Sequence, residues 1–516
     1  MHLFTIIAFA SLFWRAEGPN DWPRLVTGTW QTVIAVLGQL PLWAALAALA
    51  GARTRQLLAL HPDTPHKAQH FHHKTTFILR TAMTVGFLFA VLETPWPDWF
   101  QFDQVAPELQ VFGQLIVLSP FFLATLIFWV IAFPLERAAR SKDPMLAQNT
   151  PTECSWKLRS YLDFNIRHHL LVVAVPLTLI LFASDVTRGR EAQIRQLFGV
   201  WWAPDVLLGV VAGCVFLLAP LLLVHIWHTA PLEQGPLRTK LENICKRINL
   251  RVKDILVWNS DGLMINAAVM GIIPQVRYVL LSDALLATMS DEQIEAVFGH
   301  EAGHVRYHHI PHFLLFAFVG WIIVAGIMEL LARISLTDHG PQLSLLAIQA
   351  IGVTSTLAIW GLGFGWLSRR FERQADTFGA YCVTPTGDQC ATPCTIHLDA
   401  RPLATAPTTA ICATGARIFA SALERVAVLN GIPREERSWR HSSIAYRVRF
   451  LLSLASDPKR ADRFDRVVRR AKRFLLVTAV LGSVASLCYW KWTPQPALLR
   501  VQTGGLTAKM VSPPVS

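Results

Sequence analysis

The strongest constraint on this chain is a series of long apolar runs, near residues 29–51, 77–94, 112–134, 168–184, 202–228, 311–333, 344–367 and 474–491. A helix needs about 20 mostly apolar residues to cross about 30 Å of hydrocarbon, and each run reaches or nearly reaches that length. Inside a bilayer every backbone N–H and C=O must be paired within its own segment, so such runs fold as helices. The expected fold is therefore mainly α, a polytopic membrane protein with about eight transmembrane helices. Composition agrees: 53% of the 516 residues are hydrophobic and 16% charged, too apolar for a soluble enzyme of this length. The shorter apolar stretch Leu3–Trp14 reads as a short span, an interfacial helix or a signal-like start.

Loop charge orients the spans. The connection after the first run carries Arg53, Arg55, Lys67 and Lys74, whereas Pro95–Val111 carries Asp98, Asp103 and Glu108 and no Lys or Arg. The next is basic again, with Arg137, Arg140, Lys142, Lys157 and Arg159. Lys and Arg collect in cytoplasmic loops, so the first and third connections are read as cytoplasmic, and by span counting so are 229–310 and 368–473. Arg188, Arg190 and Arg195 run against this pattern. The net charge of +12 follows from the same loop bias, and no basic stripe with interleaved aromatics argues for nucleic acid. The eight cysteines show no disulfide-framework spacing, as in a reducing-side enzyme; Cys214 and Cys488 lie inside apolar runs and read as small core residues.

The chemistry concentrates in DEQIEAVFGHEAGH, residues 291–304. Ser290 and Asp291 ahead of an apolar-periodic run mark a helix start, with Gln293 placed for a capping interaction. His300 and His304, four apart, face the same way on that helix and suit two corners of a zinc tetrahedron. Glu301 is free to act as general base. A protein zinc site takes a third ligand, and SRRFERQADTFGA offers Glu372, with Asp376 four residues on to fix the tautomer of a ligand histidine. The rival reading of this segment is a charged juxtamembrane helix carrying Arg369, Arg370 and Arg373. Two apolar runs separate His304 from Glu372, so the chain leaves the membrane face and returns to it, as a shared site requires.

These residues and motifs resemble the integral-membrane gluzincin peptidases, the family of the type I CAAX prenyl endopeptidases and the HtpX proteases. HEAGH at 300–304, two spans, and FERQAD at 371–376 carry the resemblance, supported by INAAVMGIIPQVRYVLLSDALL at 265–286 and RHSSIAYRVRFL at 440–451. It implies a small cytoplasmic α+β gluzincin catalytic unit and one zinc ion per chain. It further implies that Asn266 sits on an edge strand pairing with substrate backbone, that His441 helps hold the oxyanion, and that Arg447 braces the site electrostatically. Ser442 stands where the family has proline.

The expected organisation is an N-terminal transmembrane region over 1–228, a catalytic region with the HExxH helix over 229–310, and two transmembrane helices over 311–367. A second catalytic segment over 368–473 and a last transmembrane helix with its tail over 474–516 follow. The stretch 381–412, with Cys382, Cys390, Cys394, His397 and Cys412, looks like an inserted polar loop. His308 and His309 read as helix-end residues, and His66, His70, His72 and His73 as a solvated loop. The functional expectation is a zinc endopeptidase of the bacterial inner membrane, its site facing the cytoplasm, acting on membrane-associated or misfolded polypeptides. CAAX-type processing of lipidated peptides and a non-catalytic sensor or scaffold are the alternatives.

Overall fold

A computed structural model describes residues 2–17, 24–60, 65–102, 106–141, 157–262, 264–335, 344–384, 411–430 and 432–492. The chain divides into two compact units, one of residues 1–231, 256–264 and 282–287, the other of residues 232–255, 265–281 and 288–516. Eight helices among the described residues are long and apolar enough to cross a membrane, one at each of the eight apolar runs. Their outward faces carry apolar side chains such as Val210, Phe216, Leu357, Leu362 and Leu481.

The first unit is helical almost throughout: α1 (His2–Glu17), α2 (Thr29–Leu37), α3 (Gln39–Leu60), α4 (Pro65–Glu93), α5 (Gln110–Ser141), α6 (Leu158–Asn165), α7 (Val172–Gly189), α8 (Glu191–Phe198) and α9 (Ala203–Ile226). A π-helical turn, Ile166–Leu171, joins α6 to α7. Its main core gathers Phe9, Phe87, Val91, Leu118 and Phe121. The stretch Leu3–Trp14 lies within α1, whose Phe4, Ala8, Phe9 and Leu12 enter that core. Strand β1 (Thr229–Pro231) pairs antiparallel with the end of β2 (Asp254–Trp258), Thr229 opposite Trp258.

The second unit holds α10 (Pro236–Arg247) and the antiparallel pair β3 (Ala267–Met270) and β4 (Tyr278–Ser282), with Ala267 opposite Leu281 and Met270 opposite Tyr278. The short helix α11 (Asp283–Thr288) follows in sequence and, but for Thr288, belongs to the first unit. Then come α12 (Asp291–Arg306), α13 (His309–Ser335), α14 (Leu345–Ala358), a π-helical turn at Ile359–Phe364, and α15 (Gly365–Cys382). The rest is α16 (Ala413–Leu429), α17 (Ile444–Ser456) and α18 (Pro458–Trp492).

The segment with Glu372 continues the seventh span in unbroken helix, the backbone running from α14 through the π-turn into α15. Two expectations change. His66, His70, His72 and His73 fall in the opening turns of α4, not in a loop. Cys214 and Cys488 are exposed, not core, because α9 and α18 turn most of their apolar residues outward. Of the stretch 381–412, Cys382 closes α15 and the Cys412 Sγ accepts from the Gly415 N–H at 3.2 Å to cap α16. Cys390, Cys394 and His397 lie outside the described residues.

Candidate metal centre

Helix α12 begins at the expected cap. The Ser290 hydroxyl accepts from the Gln293 N–H at 3.4 Å, and the Gln293 side chain accepts from the Ser290 N–H at 3.3 Å, two otherwise orphaned donors satisfied together. From there the helix carries Gly299 and Gly303 on one stripe, four residues apart. A Cβ at 299 would lie 2.8 Å from the Cys382 Cβ, and one at 303 would lie 3.1 Å from the Ala375 Cα. Across the seam, a Cβ at Gly379 would come within 3.0 Å of the Ala296 carbonyl oxygen. Only side chains this small let α12 and α15 meet backbone to backbone. That contact sets His300 and His304 opposite Glu372 and Asp376.

The His300 and His304 Nε2 atoms are 3.3 Å apart, and the Glu372 oxygens lie 3.7 Å from the first and 3.8 Å from the second. Tetrahedral ligands bound at zinc distances sit about 3.3–3.6 Å from one another. Separations and donor types (two imidazoles and a carboxylate) therefore fit a zinc ion with one corner left over. Among the described residues this is the group whose donor atoms gather to hold a metal, all within 4.8 Å.

Around these three, every neighbouring group has work. His300 Nδ1 lies 2.9 Å from Asp376 Oδ1, the contact that leaves Nε2 facing His304 and Glu372. Asp376, fully buried, receives Arg447 through Nε on Oδ2 at 2.8 Å and Nη2 on Oδ1 at 2.5 Å. The same guanidinium stands 3.9 Å from Glu372. The His441 Nδ1 lies 3.0 Å from Glu372 Oε2, on the third candidate ligand. Ser442, at the position where the resemblance has proline, adopts φ +66°, a left-handed conformation closed to a ring that fixes φ near about −65°. Ser443 then caps α17, its hydroxyl accepting from the Tyr446 N–H at 3.3 Å, and α17 delivers Arg447.

Burial pushes the Glu301 carboxyl up to about 7, with His300 opposing and Glu372 assisting. Burial and the neighbouring His300 push His304 down to about 4, leaving it neutral, as a ligand imidazole must be. For His300 burial acts the same way, but Asp376, Glu372 and Glu301 outweigh it and raise its pKa. A Val269 backbone hydrogen bond reaches Glu301 from β3, the strand at the edge of the sheet. Asn266 immediately precedes that strand, exposed, its Oδ1 accepting from the Ala267 N–H at 3.0 Å.

Structure thus brings together His300, Glu301, His304, Glu372, Asp376, His441 and Arg447, with Asn266 at the start of the strand that touches Glu301. Sequence reading missed the Gly299–Gly303 and Ala375–Gly379 seam, though small residues at a spacing of four inside both motifs carry that signal. It also missed His309, which is fully buried and touches His304 rather than merely ending a helix. Gln374, which it also touches, and Asp465, which Gln374 touches in turn, have no local sequence signature.

Residues 231–470 match Peptidase family M48. A Protease HtpX homolog of Bacteroides fragilis is 31% identical over 96 residues, 19% of this chain and 28% of that protein. The CAAX prenyl protease 1 homolog of Arabidopsis thaliana is 26% identical over 187 residues, 34% of this chain and 43% of that one. The chain thus spans less than half the length of each of these curated relatives. The crystal structure of S. mikatae Ste24p aligns with a TM-score of 0.43 at 17% identity, covering 84% of this chain and 100% of that one.

Proposed function

We propose, from the match of residues 231–470 to Peptidase family M48, that this multi-pass membrane protein is a zinc-dependent endopeptidase that cleaves membrane-associated polypeptides at the cytoplasmic face of a bacterial inner membrane. The observation that carries the reading is the set of three donors at tetrahedral separations beside a half-buried carboxyl, Glu301. His300, His304 and Glu372 would hold one zinc ion. Bound there, zinc supplies Lewis-acid chemistry, withdrawing electrons from a carbonyl and making water more acidic.

The chain's own groups do the rest. Glu301, poised near neutral pH by burial, takes a proton from the water whose oxygen attacks the scissile carbonyl. As the C–N bond breaks, it returns that proton to the departing amine. Asp376 and His441 hold His300 and Glu372 in place, and Arg447 supplies positive charge beside the developing oxyanion, which His441 helps hold. Edge strand β3, led by Asn266, offers backbone donors and acceptors along which a substrate adds as a further strand. The relatives' names support two substrate classes: general proteolysis, which we favour, and CAAX-type processing of lipidated peptides. Intact His300, Glu301, His304 and Glu372 weigh against a non-catalytic sensor or scaffold.

Zinc counted per chain by mass spectrometry on detergent-purified protein tests this. One zinc in the wild type and its loss in Glu372→Ala support the proposed site. No zinc in zinc-replete wild type would leave a non-catalytic protein, and equal zinc in both would remove Glu372 from the ligand set.

A further inference from the structure

His300 has a carboxylate directly behind it, but His304 does not. Behind His304 stands the imidazole of His309, fully buried at the head of α13 and stacked on Phe371 with ring centres 4.2 Å apart. It arrives there through a sharp reversal at His308, which adopts φ +54° directly after α12. The two Nδ1 atoms are 2.9 Å apart. The His309 Nε2 then lies 3.0 Å from Gln374 Oε1, and Gln374 Nε2 donates to Asp465 Oδ1 at 2.9 Å. Lys472 Nζ donates to the same Gln374 oxygen at 3.3 Å and to the Tyr307 carbonyl, at the end of α12, at 2.7 Å. Arg469 pairs with Asp465.

The direction of every hydrogen bond can be worked out from either end, and the two answers agree. From the ligand end, His304 presents Nε2 to His300 and Glu372, so its proton sits on Nδ1 and is donated to His309 Nδ1. His309 must then carry its own proton on Nε2 and donate it to the Gln374 oxygen. From the α18 end, an ammonium only donates and a carboxylate only accepts, so Gln374 must turn its oxygen to Lys472 and its amide nitrogen to Asp465. That leaves the oxygen facing His309, as the first argument requires. Reversing the chain would set donor against donor at Lys472 and acceptor against acceptor at Asp465.

We propose that His309, Gln374 and Asp465 form a positioning relay that holds His304 as its Nδ1–H tautomer, so that helix α18 is a working part of the metal centre and not only a membrane anchor. The proposal rests on the zinc reading above. Asp465 and Lys472, seven residues apart on one face of α18, grip Gln374 together, and Lys472 also ties down the end of α12. His304 thereby obtains at two removes the anionic support that Asp376 gives His300 directly.

The test is chelator competition for zinc on the purified full-length chain, with the visible spectrum of the cobalt-substituted protein as a second readout. His309→Phe keeps the stacking ring but removes the acceptor, and zinc affinity should fall by about 10–100-fold with shifted cobalt bands. His309→Gln restores a carbonyl acceptor and should recover part of the loss. If His309→Phe does not fold, Gln374→Met carries the same expectation through a near-isosteric change. Val468→Ala, a buried position of α18 outside the relay, controls for general loosening. Unchanged affinity in His309→Phe or Gln374→Met would overturn the relay, as would an equal loss in Val468→Ala. Absence of zinc from the wild type would instead overturn the metal reading beneath it.

Discussion

Glu301 and Glu372 are both enclosed carboxyls, yet their neighbours divide the work between them. Glu372 is faced by His300, His304, His441 and Arg447, a setting for an anion that binds a cation. Glu301 keeps a pKa near neutrality, suited to a group that takes a proton and gives it back. Glu301→Gln should therefore retain one zinc per chain while peptide hydrolysis falls at least about 100-fold, read by metal analysis and by cleavage of an unstructured reporter protein. Arg447→Met leaves Asp376 as an unpaired charge at zero exposure, and removing one partner of a buried pair costs about 3–5 kcal/mol. Its thermal midpoint should drop measurably, whereas Arg449→Met, at an exposed pair on the same helix, should leave the midpoint unchanged. The candidate ligand residues were legible in the sequence because helical periodicity turns a spacing of four into a shared face. His309 was not, because only the turn at His308 swings its ring back beneath His304.

At the scale of elements, the site is a helix pair. The sequence marks both helices and the cap at Ser290, and it marks the two spans between them. Their distance of approach comes from Gly299, Gly303, Ala375 and Gly379, whose significance appears only when the two stripes are laid together. Gly303→Val puts two methyl groups where the Ala375 backbone already stands, and overpacking of this kind costs about 1–3 kcal/mol. Bound zinc should fall in this variant even though every ligand remains, and metal analysis beside a thermal melt will show it. Gly213→Val, on α9 with open space around its Cβ position, should leave both unchanged.

At the scale of the whole chain, eight apolar runs in the sequence correspond one for one to eight span-length helices, since backbone pairing in hydrocarbon leaves little alternative. What the runs do not disclose is where a span stops being membrane and becomes part of the candidate site. α15 and α18 are both continuations of spans, and helical backbone gives no punctuation at the boundary. The proposed cytoplasmic site makes a topological prediction. Single cysteines placed at the exposed positions Glu292 and Arg437, in a chain cleared of reactive thiols, should both be labelled by an impermeant maleimide in inverted vesicles and neither in intact cells. Labelling of only one would break the shared-face arrangement that the ligand set requires.

The proposed ligand set is closed by a hairpin of two spanning helices, with His300 and His304 before it and Glu372 after it, and the seam that joins them is tightly packed. A lipid bilayer thicker or thinner than the hairpin is met by tilting its helices, at a fraction of a kcal/mol per ångström. Helical backbone runs from α14 through the π-turn into α15, so a tilt of this span is expected to turn Glu372 against His300 and His304 on another helix. Activity is then predicted to depend on the thickness of the surrounding membrane. Reconstituted into phosphatidylcholines of graded chain length, its hydrolysis should pass through a single maximum, and the composition of the surrounding lipid becomes an effector with no binding pocket of its own.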